Sequence, residues 1–266
     1  MNLICPICGQ PLEHLDGGCG CSRGHRFDFA RQGYVNLLVV QQKHSLHPGD
    51  TRQQVLSRRA FLEGGFYEPI VEAVKSAALR HGAQGPVLDV GCGEGYYAVR
   101  VAQALGAELM GLDISKEAVR CAAAAYKGPM WVCGTASHLP VADDSVGTLM
   151  SMFALTVPGE FRRVLGPDGV FLQVLAAQDH LLGLKSVIYP ELHQKPKDSV
   201  PQLEGFRLAE SCPVSFPIDV SGGQVMNLLS MTPHVWRITA EGAQRLEKTE
   251  ILHDRASCVV NVYKPL

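Results

Sequence analysis

Four residues near the start of the chain have the types and spacing of a metal site. Cys5-Pro6-Ile7-Cys8 is a Cys-x-x-Cys pair, and Cys21-Ser22-Arg23-Gly24-His25 offers a Cys-x-x-x-His pair thirteen residues after Cys8. Three thiolates and one imidazole suit tetrahedral Zn²⁺, which binds soft and borderline ligands without redox chemistry. A module this short cannot build its own core, so the metal would act as its staple. Cys19 is a fifth candidate; Cys21 is preferred because the three-residue gap to His25 lets both reach one ion. The rival readings are a redox Cys-x-x-Cys and a chance cluster. A redox pair would open a helix after a strand, and that context is missing. Nine cysteines are an odd number, and four fall within the first 21 residues. In a cytoplasmic chain such crowding favours a metal over disulfides.

A second constellation is Asp89-Val90-Gly91-Cys92-Gly93-Glu94-Gly95. It follows an apolar run and opens a helical stretch, so its glycines let the backbone turn tightly and approach a ligand closely. A dinucleotide fingerprint would have glycine where Tyr96 stands, and the lysine of a phosphate-binding loop is absent. The Gly-x-Gly-x-Gly spacing instead resembles that of class I S-adenosylmethionine-dependent methyltransferases. Their ligand is cationic at sulfur and carries no phosphate, which is compatible with an acidic Asp89. Asp113 lies twenty residues after Gly93 at the end of the next apolar run, where a carboxylate can accept both ribose hydroxyl hydrogens. The plain alternative is a glycine-rich turn with an unrelated aspartate. After the third run, where many such enzymes place an acid near the adenine, this chain has Thr135-Ala136-Ser137, which leaves adenine recognition to main-chain groups.

The elements that must hold these groups fall into two regimes. Residues 1–36 are rich in Cys and Gly and lack sustained periodicity, as expected of a small, loop-rich, zinc-binding module too short to build its own core. The polar stretch Gln41–Thr51, with His47-Pro48-Gly49-Asp50, reads as a loop. Val55–Arg80 has apolar residues at helical spacing (Phe61, Leu62, Ile70, Val71, Val74, Ala77, Ala78). Residues 37–80 are therefore assigned to a linker and connecting helices. From residue 81 onward strands (86–90, 108–113, 130–133, 148–153, 170–175) alternate with helices (97–105, and 116–126 with Ser115 as N-cap). A Gly166-Pro167-Asp168-Gly169 turn precedes the fifth strand. The tail differs, with strands at 212–220 and 257–263 and a helix at 223–231. Alternating strands and helices predict an α/β, Rossmann-like doubly wound sheet over 81–266, with the small module in front.

A chain of 266 residues, 46% hydrophobic and 19% charged, can bury a full core and is too apolar for disorder. No apolar run is long enough to span a membrane, and the start of the chain lacks a signal-peptide pattern, so a cytoplasmic protein is expected. The net charge of −2 excludes a broadly basic binder, yet residues 1–60 hold seven Lys/Arg against four Asp/Glu, or +3, leaving −5 for the rest. A basic front fits a polyanion that touches the N-terminal part first; an uneven solvated surface gives the same count.

The chain as a whole resembles the bacterial 23S rRNA guanine-N1 methyltransferases. The resemblance rests on Cys5/Cys8/Cys21/His25 running into Gly24-His25-Arg26-Phe27-Asp28, and on Gly33-Tyr34-Val35-Asn36-Leu37-Leu38. Gly49-Asp50, Arg58-Arg59-Ala60-Phe61-Leu62 and Gly91–Tyr97 extend it. It implies transfer of a methyl group from S-adenosylmethionine to N1 of a guanine in a 23S rRNA hairpin, a structural zinc module that helps grip the RNA, and a homodimer. It further implies cofactor contacts at Tyr67, Gly95, Tyr96 and His180, beside Asp89, Gly91, Gly93 and Asp113. Tyr67 on its own reads equally as a packing aromatic, and His180 as a surface histidine.

Transfer to guanine N1 requires loss of its proton with the O6 charge stabilised, but no residue stands out as the base. There is no Pro-Cys dipeptide for a cytosine-C5 nucleophile and no Asn/Asp-Pro-Pro-aromatic motif of amino-group methylation. Catalysis by positioning a sulfonium methyl against a looped-out base is expected. The rivals are a small-molecule methyltransferase, which needs no basic zinc appendage, and a zinc-stapled RNA-binding protein with an inert fold.

Overall fold

The computed structural model describes residues 2–42, 45, 48–192 and 196–266. His47 and three other positions of the expected 41–51 loop lie outside the described residues. Three short strands, β1 (Glu13–Leu15), β2 (Gly18–Gly20) and β3 (Arg26–Asp28), form an antiparallel sheet of their own around the cysteines. The next strand, β4 (Tyr34–Asn36), leaves that sheet and pairs in parallel with β7 (Met130–Cys133). The last strand of segment 1–36 is thus the edge of the main sheet. In a Cys- and Gly-rich stretch a three-residue strand carries no period by which to see it.

The helical pattern of 55–80 is two helices. α1 (Arg52–Glu63) opens on a capping box, with the Gln54 N–H donating to Thr51 Oγ1 and the Thr51 N–H donating to Gln54 Oε1 at 3.0 Å. It stops at Gly64-Gly65, where Gly65 takes φ +80°, and α2 (Glu68–Arg80) restarts after Tyr67. The break delivers Tyr67, 2% exposed, to the end of the sheet that matters below.

The main sheet then follows the expected alternation. β5 (Val87–Val90), α3 (Tyr96–Leu105), β6 (Leu109–Asp113) and α4 (Lys116–Ala125) lead to β7, with Ser115 Oγ accepting from the Ala118 N–H at the start of α4. β8 (Val146–Met152), α5 (Pro158–Val164) and β9 (Leu165–Ala176) follow. The 166–169 turn is absorbed into β9: Leu165 already faces Val146, and the ladder shifts register before Val170 meets Thr148. The remaining elements are α6 (Leu182–Ile188), β10 (Phe206–Ser221), α7 (Gly223–Ser230), α8 (Ala240–Glu247) and β11 (Ile251–Pro265). α5, α6 and α8 fell outside the sequence expectations; at seven or eight residues each they give periodicity too little length to register.

The sheet order is β10-β11-β9-β8-β5-β6-β7-β4. β4, β7, β6, β5, β8 and β9 are parallel, whereas β11 runs antiparallel to both β9 and β10. The chain builds outward from β5 to β7 on one side and then crosses to β8 and β9 on the other. The switch point at the carboxyl ends of β5 and β8 is where such sheets open a ligand crevice.

Each face of the sheet has its own apolar cluster. One includes Phe61, Ile70, Val74, Tyr96, Val101, Trp131 and Leu184. The other joins Leu88, Val90, Leu112 and Phe161 to Leu3, Cys19, Val35 and Leu37 of the N-terminal segment. The cysteine-rich module is thereby a covering layer of the second face, pinned by the Ile4 N–H to Pro140 O (3.0 Å) and the Ala142 N–H to Asn2 O (2.9 Å). Trp131 locks the first face: it is 1% exposed, its indole N–H donates to Tyr126 O at 3.1 Å, and the Cα atoms of Gly95 and Gly111 leave no room for a Cβ against its ring. Trp131→Ala is expected to destabilise the fold by about 3–5 kcal/mol, the range for large aromatic truncations, measured by urea unfolding; a loss below ~1 kcal/mol would contradict this packing role.

A metal quartet and an acidic cleft

The four N-terminal ligands converge. Cys5, Cys8, Cys21 and His25 place one ligand atom each within 4.8 Å of the others. Cys8 and Cys21 Sγ are 3.7 Å apart, and His25 Nδ1 lies 3.5 Å from Cys5 Sγ and 3.4 Å from Cys21 Sγ. A tetrahedron with Zn–S of about 2.3 Å and Zn–N of about 2.0 Å has edges of roughly 3.8 Å between sulfurs and 3.5 Å between sulfur and nitrogen. The observed separations are those edges, so the donor set fits Zn²⁺. The Cys21 N–H donates to His25 O and the Gly24 N–H to Cys21 O, which closes the tight loop carrying the second pair. Cys19 lies on β2, buried in the second apolar cluster and outside the quartet.

At the switch point lies a cleft of about 630 Å³. Asp89 at the end of β5, Gly91, Gly93 and Glu94 of the following loop, and Asp113 at the end of β6 line one side of it. Gly91 has φ +82°, and a Cβ there would come within 2.6 Å of the Ala154 Cβ, so only glycine lets the loop pass under the segment after β8. Asp113 holds the loop in place. Its Oδ2 accepts from the Gly93 N–H (2.9 Å) and its Oδ1 from the Ser115 N–H (2.8 Å), while Ser115 Oγ donates to Asp50 O at 2.7 Å. Arg58 pairs with Asp50 beside them.

This side of the cleft is short of positive charge. Burial, then the charges of Asp113 and Glu94, push Asp89 up to about 8. Burial likewise raises Glu94 to about 7 against the pull of Arg58, and raises Asp113 despite its two backbone donors. Among the described residues the buried side-chain polar atoms without a partner are Asp89 Oδ1, Glu94 Oε2, Tyr97 Oη and Ser151 Oγ. The first three belong to residues lining the cleft. Buried polar atoms rarely stay unpaired, so three on residues that line one cavity fit a bound, cationic, hydrogen-bonding ligand such as S-adenosylmethionine.

The other side carries Tyr67, Phe153, His180, Lys185, Lys197 and His234. Burial, followed by the charge of Lys185, lowers His180 to about 4, so its ring is neutral at physiological pH. Its Nδ1 accepts from the Ser257 N–H (3.1 Å), which puts the ring proton on Nε2, 3.4 Å from Tyr67 Oη. Tyr67 then accepts from His180 and keeps its own O–H to donate.

Six of the eight residues expected around a cofactor therefore line the cleft: Tyr67, Asp89, Gly91, Gly93, Asp113 and His180. Gly95 and Tyr96 do not. Gly95 caps α3 with its Cα against Trp131, and the Tyr96 hydroxyl donates to Glu68 Oε2 (2.9 Å) with Arg100 over its ring. Asp50, Arg58, Glu94 and Tyr97 stood within the motifs that carry the family resemblance but were given no role there; Phe153 and Lys185 fell in no motif. Thr135 and Ala136 also line the cleft, with Thr135 Oγ1 and Ser137 Oγ engaged to each other at 2.9 Å.

A mostly parallel sheet with a glycine loop and a buried aspartate at its switch point, carrying an N-terminal zinc ribbon, defines a class I methyltransferase with a metal module. Comparison with known families agrees: the zinc-ribbon model described as "RlmA, N-terminal" matches residues 3–46, and a "Methyltransferase domain" model matches 87–169. A protein of Micromonospora griseorubida named "Putative 23S rRNA (guanine-N(1)-)-methyltransferase" is 35% identical over 94% of both chains. The "23S rRNA (guanine(748)-N(1))-methyltransferase" of Streptomyces fradiae is 40% identical over 68% of this chain and 66% of its own. The chain belongs to this family of 23S rRNA (guanine-N1)-methyltransferases. A solved complex of the Haloferax volcanii Trm112 methyltransferase activator with a methyltransferase shares the fold at TM-score 0.51 and 20% identity, over 82% of this chain and 99% of that one. The cofactor of this methyltransferase is S-adenosylmethionine, and the ribbon's zinc is structural.

Purified Cys8→Ser protein is expected to lose its zinc by elemental analysis and to melt at a lower temperature than the parent, because the ribbon covers one sheet face. Cys19→Ser should keep one zinc per chain. Loss of metal from the Cys19 variant but not from Cys21→Ser would overturn the ligand set.

Proposed function

We propose that the protein transfers a methyl group from S-adenosylmethionine to N1 of a guanine in a 23S rRNA hairpin, with Cys5, Cys8, Cys21 and His25 holding zinc in a module that helps grip the RNA. The observation that carries the reading is the cleft's division into an anionic side and a cationic, aromatic side, in a chain with close relatives named for this reaction. The anionic side fits the sulfonium and ammonium groups of the cofactor. Asp113, with two of its lone pairs already used on the loops, has capacity left for ribose hydroxyls. Main-chain groups around Thr135 and Ala136 are left for the adenine.

The cofactor, when bound, would supply a methyl carbon on a positively charged sulfur; the carbon–sulfur bonding pair would stay with sulfur as guanine N1 takes the carbon, and the N1 proton would leave to water. The protein's part is to position the reactants and hold charge. Asp89 and Glu94 balance the sulfonium side, and Tyr67, oriented by His180, offers its O–H to the reacting edge. Three unpaired buried polar atoms in one cleft argue against an inert fold, and a docked zinc ribbon followed by a basic segment argues against a small-molecule acceptor. We further infer that the protein works as a homodimer in the cytoplasm. No helix among the described residues is long and apolar enough to cross a membrane.

Primer extension on rRNA from cells with and without the gene tests the reading. N1 methylation blocks the Watson–Crick edge, so a reverse-transcriptase stop at one guanine is expected only where the gene is present; identical profiles would refute it. Asp113→Ala should weaken cofactor binding by about 1–3 kcal/mol, the range for loss of hydrogen bonds to a charged group, by calorimetry on protein shown to be folded. The raised Asp89 and Glu94 also fix the sign of a pH effect. Both hold protons at low pH, and a cationic ligand prefers the ionised forms. Affinity should therefore rise from pH 6 to pH 8, with proton release on binding detected in buffers of different ionisation enthalpy. A flat profile would remove the two carboxyls from the site.

A further inference from the structure

Three described residues other than glycine have a left-handed backbone: Asp144, Phe153 and Leu181. Two of them, Phe153 and Leu181, line the cleft. Such conformations are reluctantly adopted by residues with side chains and collect at functional sites. Phe153, with φ 55°, directly follows β8 and is held there by its N–H donating to Val174 O at 2.9 Å.

Phe153 is 37% exposed although three other rings lie near its own. His180, Tyr67 and Tyr97 lie 5.9, 6.4 and 6.4 Å away between centroids, and all are tilted rather than stacked on it. The next residue, Ala154, is the one whose side chain lies over Gly91 of the glycine loop. The ring thus stands beside the loop proposed to hold the cofactor, in a cleft whose lining also includes Lys185 and Lys197. An unstacked aromatic face in a cleft with cations beside it is what a looped-out base of a polyanion requires.

We propose that Phe153 is the platform on which the acceptor base stacks, its left-handed backbone aiming the ring so that the base edge meets the methyl group, with Lys185 and Lys197 of the same cleft available to the negative charge of the acceptor. The proposal rests on the guanine reading above but concerns how the base is held, not which atom is methylated.

Zinc-loaded, full-length Phe153→Leu and Phe153→Tyr proteins test it, with a 23S rRNA transcript as acceptor. Methyl transfer, primer extension and cofactor calorimetry are the readouts. Leucine fills space without a π-face, so Phe153→Leu should lose about 5- to 150-fold in kcat/KM for RNA, the fold-change of one base stacked on an aromatic, with cofactor affinity unchanged. Phe153→Tyr should keep near-parental activity. Equal activity of the Leu and Tyr proteins, or cofactor affinity falling in step with methylation, would overturn the platform. Methylation of some other position by the parent, still lost with Leu and kept with Tyr, would remove the guanine-N1 reading and leave the platform standing.

Discussion

One carboxylate organises the reacting end of this molecule. Asp113 accepts the N–H of Gly93 from the loop after β5 and that of Ser115 from the turn after β6, and Ser115 in turn reaches Asp50 ahead of α1. Three segments far apart in the sequence are tied at one point, and each contributes a wall of the cleft. The arrangement concentrates negative charge: Asp50, Asp89, Glu94 and Asp113 share one cleft, and Arg58 is the cation set among them. Three of the four, Asp89, Glu94 and Asp113, are pushed toward their neutral forms because burial disfavours the charge. A cationic ligand relieves that tension, so the binding site and the local weakness of the fold are the same feature.

The second constraint is the covering of the sheet. A parallel sheet must be buried on both faces, and here helices cover one face while the second is covered in part by Leu3, Cys19, Val35 and Leu37 of the N-terminal segment. The zinc module is therefore not a bead on a linker. β4 extends the sheet from its edge, and the strand-like contact at Leu3 with Val141 fastens the start of the chain to the loop after β7. Metal binding and the integrity of the methyltransferase core are coupled through that shared layer.

Sequence reasoning reached these features unevenly, for physical reasons. The metal quartet was legible because its ligands are rare residue types in two close pairs, and the chemistry selects them without reference to the rest of the chain. β5 to β8 and the helices between them were legible because buried parallel strands read as short apolar runs. The division of the 55–80 helix was not, because apolar spacing continues across Gly64-Gly65. Arg58, Phe153 and Lys185 come together only through the sheet order. Gly95 and Tyr96 continue the glycine pattern by position, but their surroundings were not legible: Gly95 sits against Trp131, and a side chain one step along a helix points about 100° away from its neighbour, which sends the Tyr96 phenol to Glu68.

The two sides of the cleft also explain why so little of the chemistry is written in motifs. Methyl transfer to a ring nitrogen needs no covalent enzyme intermediate, so no nucleophile has to be supplied. What it needs is a cation and a base held in contact while the proton leaves, and charge placement does this. Carboxylates gather at β5 and β6 on one side of the switch point. Tyr67, Phe153, His180 and the lysines come from the α1–α2 break, the end of β8 and the segments after β9 on the other. The neutral state of His180 belongs to this scheme. A charged imidazole beside Lys185 would add repulsion to a buried corner, whereas the neutral ring, fixed by the Ser257 N–H, orients Tyr67 as a donor. In the proposed reaction this histidine therefore serves by orientation rather than by acid–base strength.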